Sequence, residues 1–218
     1  MPFDPSSFFV VHPSLNGSTF SGQSQVSIYD IRQVGYAVRD KNQKLFPAQT
    51  PAYLIVSVDS KNLLPDGWLE DINVFWCGYE QNKTRYSMLA GASGPSIMLT
   101  ATMDGCSFGI GHSASDGSII VTHANSAQSQ TGIGDTKGME IAQQSSIKKF
   151  FKITPQSLKY TLKPNDYRWM KDSMTKKKVF GASASLYGVR EKNHWRFYRH
   201  VYEAGAGDYT YLGTKRVK

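Results

Sequence analysis

The chain has 218 residues and a mass of 24.3 kDa, with 25 Lys/Arg against 17 Asp/Glu, giving a formal charge of +8 and a pI near 9.4. At 40 % hydrophobic, 12 % aromatic and 19 % charged residues, it holds enough apolar surface for a sizeable core, which excludes an intrinsically disordered chain. Two cysteines make no disulfide scaffold, no run approaches the roughly 18 apolar residues of a membrane helix, and no basic segment followed by an apolar stretch opens the chain, so a soluble protein without a Sec-type signal is expected.

Residues 1–25 are rich in Ser, Gly, Pro and Asn and read as an extended lead-in with one apolar patch, Phe8-Phe9-Val10-Val11. Short β-branched or aromatic runs follow at 26–29, 53–58, 72–76 and 86–89, separated by turn signals such as Pro65-Asp66-Gly67 and Gly91-Ala92-Ser93-Gly94-Pro95. Runs at 107–111 and 119–123 flank Asp116-Gly117 and predict an antiparallel hairpin. The one amphipathic helix spans 137–151, with Met139, Ile141, Ala142, Ile147, Phe150 and Phe151 apolar, and it closes near Pro155. A long hairpin comes last, with arms 179–190 and 195–202 joined through Glu191-Lys192-Asn193-His194. Strands on both sides of a single strong helix predict an α+β fold, in which one domain over 26–218 is built on a central β-sandwich of mixed strands with few flanking helices.

Charge is unevenly placed. Residues 1–109 carry seven Lys/Arg against nine Asp/Glu, net −2, whereas residues 110–218 carry eighteen against eight, net +10. Such asymmetry suits a partner with an acidic surface, either a protein or nucleic acid. The run Lys176-Lys177-Lys178 is short, and Trp195-Arg196-Phe197-Tyr198-Arg199-His200 fits strand alternation with Trp195, Phe197 and Val201 inward better than base stacking.

Chemistry concentrates at 100–123. Cys106 directly follows Gly105 where the chain leaves a tight turn, and backbone N–H groups of a turn at Asp104-Gly105 can face a developing oxyanion. The midpoint between 106 and 123 falls at Ala114/Ser115, inside the hairpin loop, so His123 is expected opposite Cys106, with Phe108 opposite Val121 and Ile110 opposite Ile119. Directly opposed side chains share a face about 5 Å apart, close enough for an imidazole to take a thiol proton. A slip of one residue would send His123 to the other face. Cys77 lies in an apolar strand and reads as core. Cys106, His112 and His123 match no familiar zinc spacing and lack a fourth ligand, so no metal is expected. No Gly-x-Ser-x-Gly elbow is present, and Gly105-Cys106-Ser107-Phe108-Gly109-Ile110-Gly111 lacks the lysine and following helix of a phosphate loop.

Thr100, then Cys106 six residues on, then His123 on the next strand resembles the cysteine-dependent glutamine deamidases, the group that includes the catalytic domain of cytotoxic necrotizing factor, Burkholderia lethal factor and the chemoreceptor deamidase CheD. The matched region is about residues 98–125. The toxins carry Leu-Ser-Gly-Cys, of which Met103-Asp104-Gly105-Cys106 keeps Gly and Cys. The resemblance implies Cys106 as nucleophile, His123 as base, Thr100 as its orienting group, and no cofactor. It further implies a monomeric bacterial toxin or effector, exported by a non-Sec route, that deamidates a host protein in the host cytoplasm. A translation-initiation RNA helicase is the first substrate so implied and a Rho-family GTPase the second; an amine in place of water would give transglutamination. Two readings stand beside it: a non-catalytic basic module that binds nucleic acid or an acidic protein, and a papain-like cysteine protease.

Overall fold

Short runs of β-branched and aromatic residues along the chain favour strands, and a sheet with an apolar face must bury that face against another element. The computed structural model describes residues 2–12, 21–59, 64, 66–126, 136–171 and 178–217. In chain order the first strands are β1 (Phe8–Val11), β2 (Gly22–Asp30), β3 (Ala37–Arg39), β4 (Ala52–Ser57), β5 (Trp68–Cys77), β6 (Thr84–Leu89) and β7 (Ile97–Thr100). Strands β8 (Ser107–Gly111) and β9 (Ile119–Ala124) precede helix α1 (Thr136–Lys152), β10 (Leu158–Leu162) and the short α2 (Pro164–Tyr167). The chain continues as β11 (Trp169–Lys171), β12 (Lys178–Phe180), β13 (Ser183–Glu191), β14 (His194–Ala204) and β15 (Asp208–Arg216).

Nine strands form one mixed sheet in the order β1-β4-β2-β5-β7-β13-β14-β15-β3, four form a second in the order β10-β8-β9-β6, and β11 pairs with β12 alone. Cys77, Met98, Leu186 and Phe197 of the large sheet pack with Phe108, Ile110, Ile119 and Val121 of the small one in a shared core. The α+β class holds, with the strands arranged as two stacked sheets. The last hairpin forms with the expected connection, Glu191 pairing with His194 and Lys192 at φ 55° in the turn. Its first arm is divided: the N–H groups of Gly181 and Ala182 both donate to the Arg168 carbonyl, at 3.1 and 3.3 Å, so β12 leaves for β11 and β13 begins at Ser183. The lead-in contributes to the large sheet, with Phe8–Val11 fully buried and parallel to β4. Lys176 and Lys177 of the basic run lie outside the described residues.

Helix α1 covers the outer face of the small sheet, where Ile147 and Phe151 meet Ile120 and Ala124. Two glycines on that face let it approach. A Cβ at Gly109 would lie 2.5 Å from Thr122 Oγ1 and 2.7 Å from Ile147 Cγ2, and one at Gly111 would lie 2.9 Å from both Gln156 and Phe151 side chains. The alternate glycines of β8 therefore serve helix packing, and Phe108 and Ile110 between them face the shared core. Gly109→Ala is expected to lower the melting temperature by about 3–10 °C in a thermal unfolding scan, because overpacking a tight contact costs about 1–3 kcal/mol.

Candidate active site

The expected hairpin register is corrected by the structure. Ser107 pairs with Ala124, Phe108 with His123, Gly109 with Thr122 and Ile110 with Val121, a displacement of two residues. The cause lies in the turn: Ala114 N–H donates to Ser118 O at 2.8 Å, Ser118 N–H donates to Asp116 Oδ1, and Gly117 takes φ 79°, so the loop closes one residue beyond its arithmetic midpoint. Because strand parity is two, the displacement leaves His123 on the same face as Cys106. Cys106, Phe108, Ile110, Ile119 and Val121 all face the shared core. His123 becomes a diagonal neighbour of Cys106, about 7 Å away along the ladder, and Asn125 takes the place opposite the cysteine. The Cys106 thiol accepts a hydrogen bond from Asn125 Nδ2 at 3.3 Å.

His123 is oriented from the other sheet. Strands β5 and β7 run parallel with Cys77 beside Thr100. Thr100 Oγ1 donates to the Cys77 carbonyl at 2.7 Å and lies 2.8 Å from His123 Nδ1. A hydroxyl has one proton, and the carbonyl takes it, so Thr100 accepts from Nδ1–H and the imidazole lone pair sits on Nε2. Nε2 is buried and has no hydrogen-bond partner among the described residues. Tyr79 packs edge-on against the His123 ring, centroids 5.6 Å apart. Burial, with Cys106 2 % and His123 1 % exposed, sets the charge states. It pushes the thiol up to about 11 against the opposing pull of Asn125, and the imidazole down to about 4, so the resting pair is neutral thiol and neutral base.

The turn carrying Cys106 is clamped from two further elements. Tyr167 at the end of α2 accepts from Gly105 N–H at 3.1 Å and donates to the Cys106 carbonyl at 2.8 Å. Gln143 of α1 donates to the Gly105 carbonyl at 2.9 Å and accepts from Ser107 Oγ at 2.7 Å. Gly105 holds φ 88°, a left-handed value that favours glycine, and a Cβ there would lie 3.0 Å from Arg168 Nη1. The Gly105 N–H is thus engaged by Tyr167, and the Asp104 carboxylate pairs with Arg168 at 3.2 Å. Above the turn opens a cleft of about 360 Å³ whose walls include Cys106, Asp104, Asn125, Tyr79, Thr102 and Tyr202. His112, exposed at the far end of β8, is not part of this group, and Cys77 is buried core.

Thr100, Cys106 and His123, expected from the sequence, lie together in the structure; Asn125, Gln143 and Tyr167, which also touch this group, were not expected. Asn125 alone carried a signal, two residues beyond His123 on the same strand face.

No family model and no curated protein matches the chain. Among solved structures it is similar to the C-terminal domain of CNFy from Yersinia pseudotuberculosis, at 9 % identity over 93 % of this chain and 90 % of that one, with a TM-score of 0.38. No helix among the described residues is long and apolar enough to cross a membrane.

Two outcomes are expected of this geometry. Tyr167→Phe strips partners from the Gly105 N–H and the Cys106 carbonyl, and denaturant unfolding should show a loss of about 2 kcal/mol. His123 and His200 are both held near 4 by burial, against an ordinary 6.5. Their folded values lie below the unfolded one, so the stability they contribute is complete above pH 6.5 and is lost progressively as the pH falls through 4. Denaturant midpoints should therefore drop between pH 7 and pH 4.5, and His200→Gln should flatten that drop.

Proposed function

We propose that the chain is a cysteine-dependent glutamine deamidase acting on a protein substrate. The observation that carries this reading is the Nε2 of His123, which has no hydrogen-bond partner among the described residues and lies on the same buried face as the Cys106 thiol, with Nδ1 held by Thr100. The cleft above Cys106 is large enough to admit a side chain, and the burial of Cys106 and His123 beneath it strengthens the charge interactions between them.

Each proton has a place in the reaction. Cys106 Sγ attacks the carboxamide carbon of glutamine as its proton passes to His123 Nε2 once the two side chains close to hydrogen-bond distance, and the carbonyl oxygen becomes the oxyanion. The tetrahedral adduct collapses with cleavage of the C–N bond, and the Nε2 proton leaves on ammonia. Water then enters, gives a proton to Nε2 and attacks the thioester; the C–S bond breaks, the sulfur recovers its proton, and glutamate departs. An amine in place of water completes a transglutamination at the same site. Thiolate and imidazolium appear together and attract each other in a low dielectric, which offsets part of the cost of charging two buried groups. Thr100 acts as the third member of a triad, holding the tautomer that keeps Nε2 basic.

The +10 half of the chain supports a substrate with an acidic surface. The resemblance puts a translation-initiation RNA helicase first and a Rho-family GTPase second, met in the host cytoplasm after export by a non-Sec route. Cys106→Ser and His123→Ala are each expected to abolish ammonia release from a treated host lysate while far-ultraviolet circular dichroism stays unchanged. Intact-mass analysis should show substrates gaining about 1 Da per converted glutamine with no new peptide termini, since the scissile bond is a side-chain amide. Retained ammonia release by Cys106→Ser would overturn the assignment, and new termini would point to a protease.

A further inference from the structure

The mechanism above needs a donor for the sulfur as it gains charge and for the oxyanion that follows. The turn does not offer the Gly105 N–H, which Tyr167 Oη engages at 3.1 Å. The side chain that does touch the sulfur is Asn125, 8 % exposed and on the cleft wall, its Nδ2 donating to Cys106 Sγ at 3.3 Å.

The direction of that amide is set by the protein. Asn125 Oδ1 accepts from the Asn82 N–H at 3.3 Å, so the oxygen faces the loop between β5 and β6 and the nitrogen is left facing the thiol. Asn82 sits at φ 61°, a left-handed conformation that Asn tolerates better than most residues. The Asn125 backbone N–H is anchored in turn on the Lys83 carbonyl at 3.0 Å. An Asn whose oxygen is committed to a backbone amide cannot flip without leaving that N–H unsatisfied, so Nδ2 stays on the sulfur. Nδ2 carries two protons, and a single hydrogen bond from it, the one to Sγ, is present among the described residues.

We propose that Asn125 is a catalytic residue, the side-chain donor that stabilises the Cys106 thiolate and then the oxyanion of the tetrahedral adduct. This rests on the reading of Cys106 as nucleophile. As sulfur spends its lone pair on the new C–S bond, its claim on the amide weakens, and the oxyanion forms one bond further on within reach of the same nitrogen. A donor already oriented before the reaction costs no reorganisation when charge develops. Asn125 also opposes the burial that pushes the thiol pKa up, and it is the largest influence in that direction.

The test follows alkylation of the full-length chain by iodoacetamide across about pH 6–11, with peptide mass mapping to separate Cys106 from Cys77. Asn125→Ala is the informative variant, because it removes the donor facing sulfur without adding charge; Asn125→Asp keeps an oxygen for the Asn82 N–H but sets a carboxylate beside the sulfur, whose own charge raises the thiol pKa as well. The apparent pKa of Cys106 should rise by about one unit in Asn125→Ala and further in Asn125→Asp, slowing alkylation at pH 8 about tenfold or more. Far-ultraviolet circular dichroism of both variants should match that of the unaltered chain, so that the titration is read on a folded protein. A purely structural Asn125 would leave the Cys106 titration unchanged in Asn125→Ala, and that outcome overturns the proposal. Ammonia release surviving Cys106→Ser would fail the deamidase reading itself, a result independent of the titration.

Discussion

One hydroxyl proton, on Thr100, couples the two sheets. It is spent on the Cys77 carbonyl of the neighbouring strand, so the same oxygen can only accept from His123, which belongs to the opposing sheet. The choice of tautomer therefore follows from the parallel pairing of β5 with β7. Everything chemically useful about His123 depends on this. With the proton on Nδ1, the ring presents a basic nitrogen to the face that carries Cys106; with the proton on Nε2, it would present a donor and no base.

Burial explains why the site is built from clamps. A turn that hides Gly105 and Cys106 from water must satisfy its own N–H and C=O groups, and Tyr167 and Gln143 do so from two separate elements. The same desolvation keeps thiol and imidazole neutral at rest and makes the pair costly to charge. Rigid hydrogen-bonding partners and a neutral resting pair are two results of one placement, between stacked sheets, with α1 closing the outer side.

How far the molecule could be read from its sequence follows from which signals are periodic. Alternation placed Cys106, Phe108 and Ile110 on one face and Val121 and His123 on the facing strand, and that parity survived a two-residue error in register. The error arose because loop closure depends on where Asp116-Gly117 sits, which symmetry about a midpoint ignores. The amphipathic helix was legible almost to its ends, since Ile147 and Phe151 recur at helical spacing. Gln143 was not, because a polar residue on a buried helix face contradicts the pattern that reveals the helix. Tyr167 lies 61 residues from the carbonyl it holds, and no local pattern encodes such a contact.

The opening strand reaches further into the site than its position suggests. Val11 lines the cleft, and its carbonyl accepts from Thr102 Oγ1 at 3.2 Å, four residues before the cysteine. Just upstream, the Pro5 carbonyl accepts from the buried ring of His200 at 3.0 Å, and Phe8 packs among Tyr202, Tyr211 and His200. A protease that clipped the first dozen residues would remove a wall of the cleft and unseal an aromatic cluster in the same cut. Proteolytic nicking at the front of the chain would thus be a destabilising event as well as a trimming one.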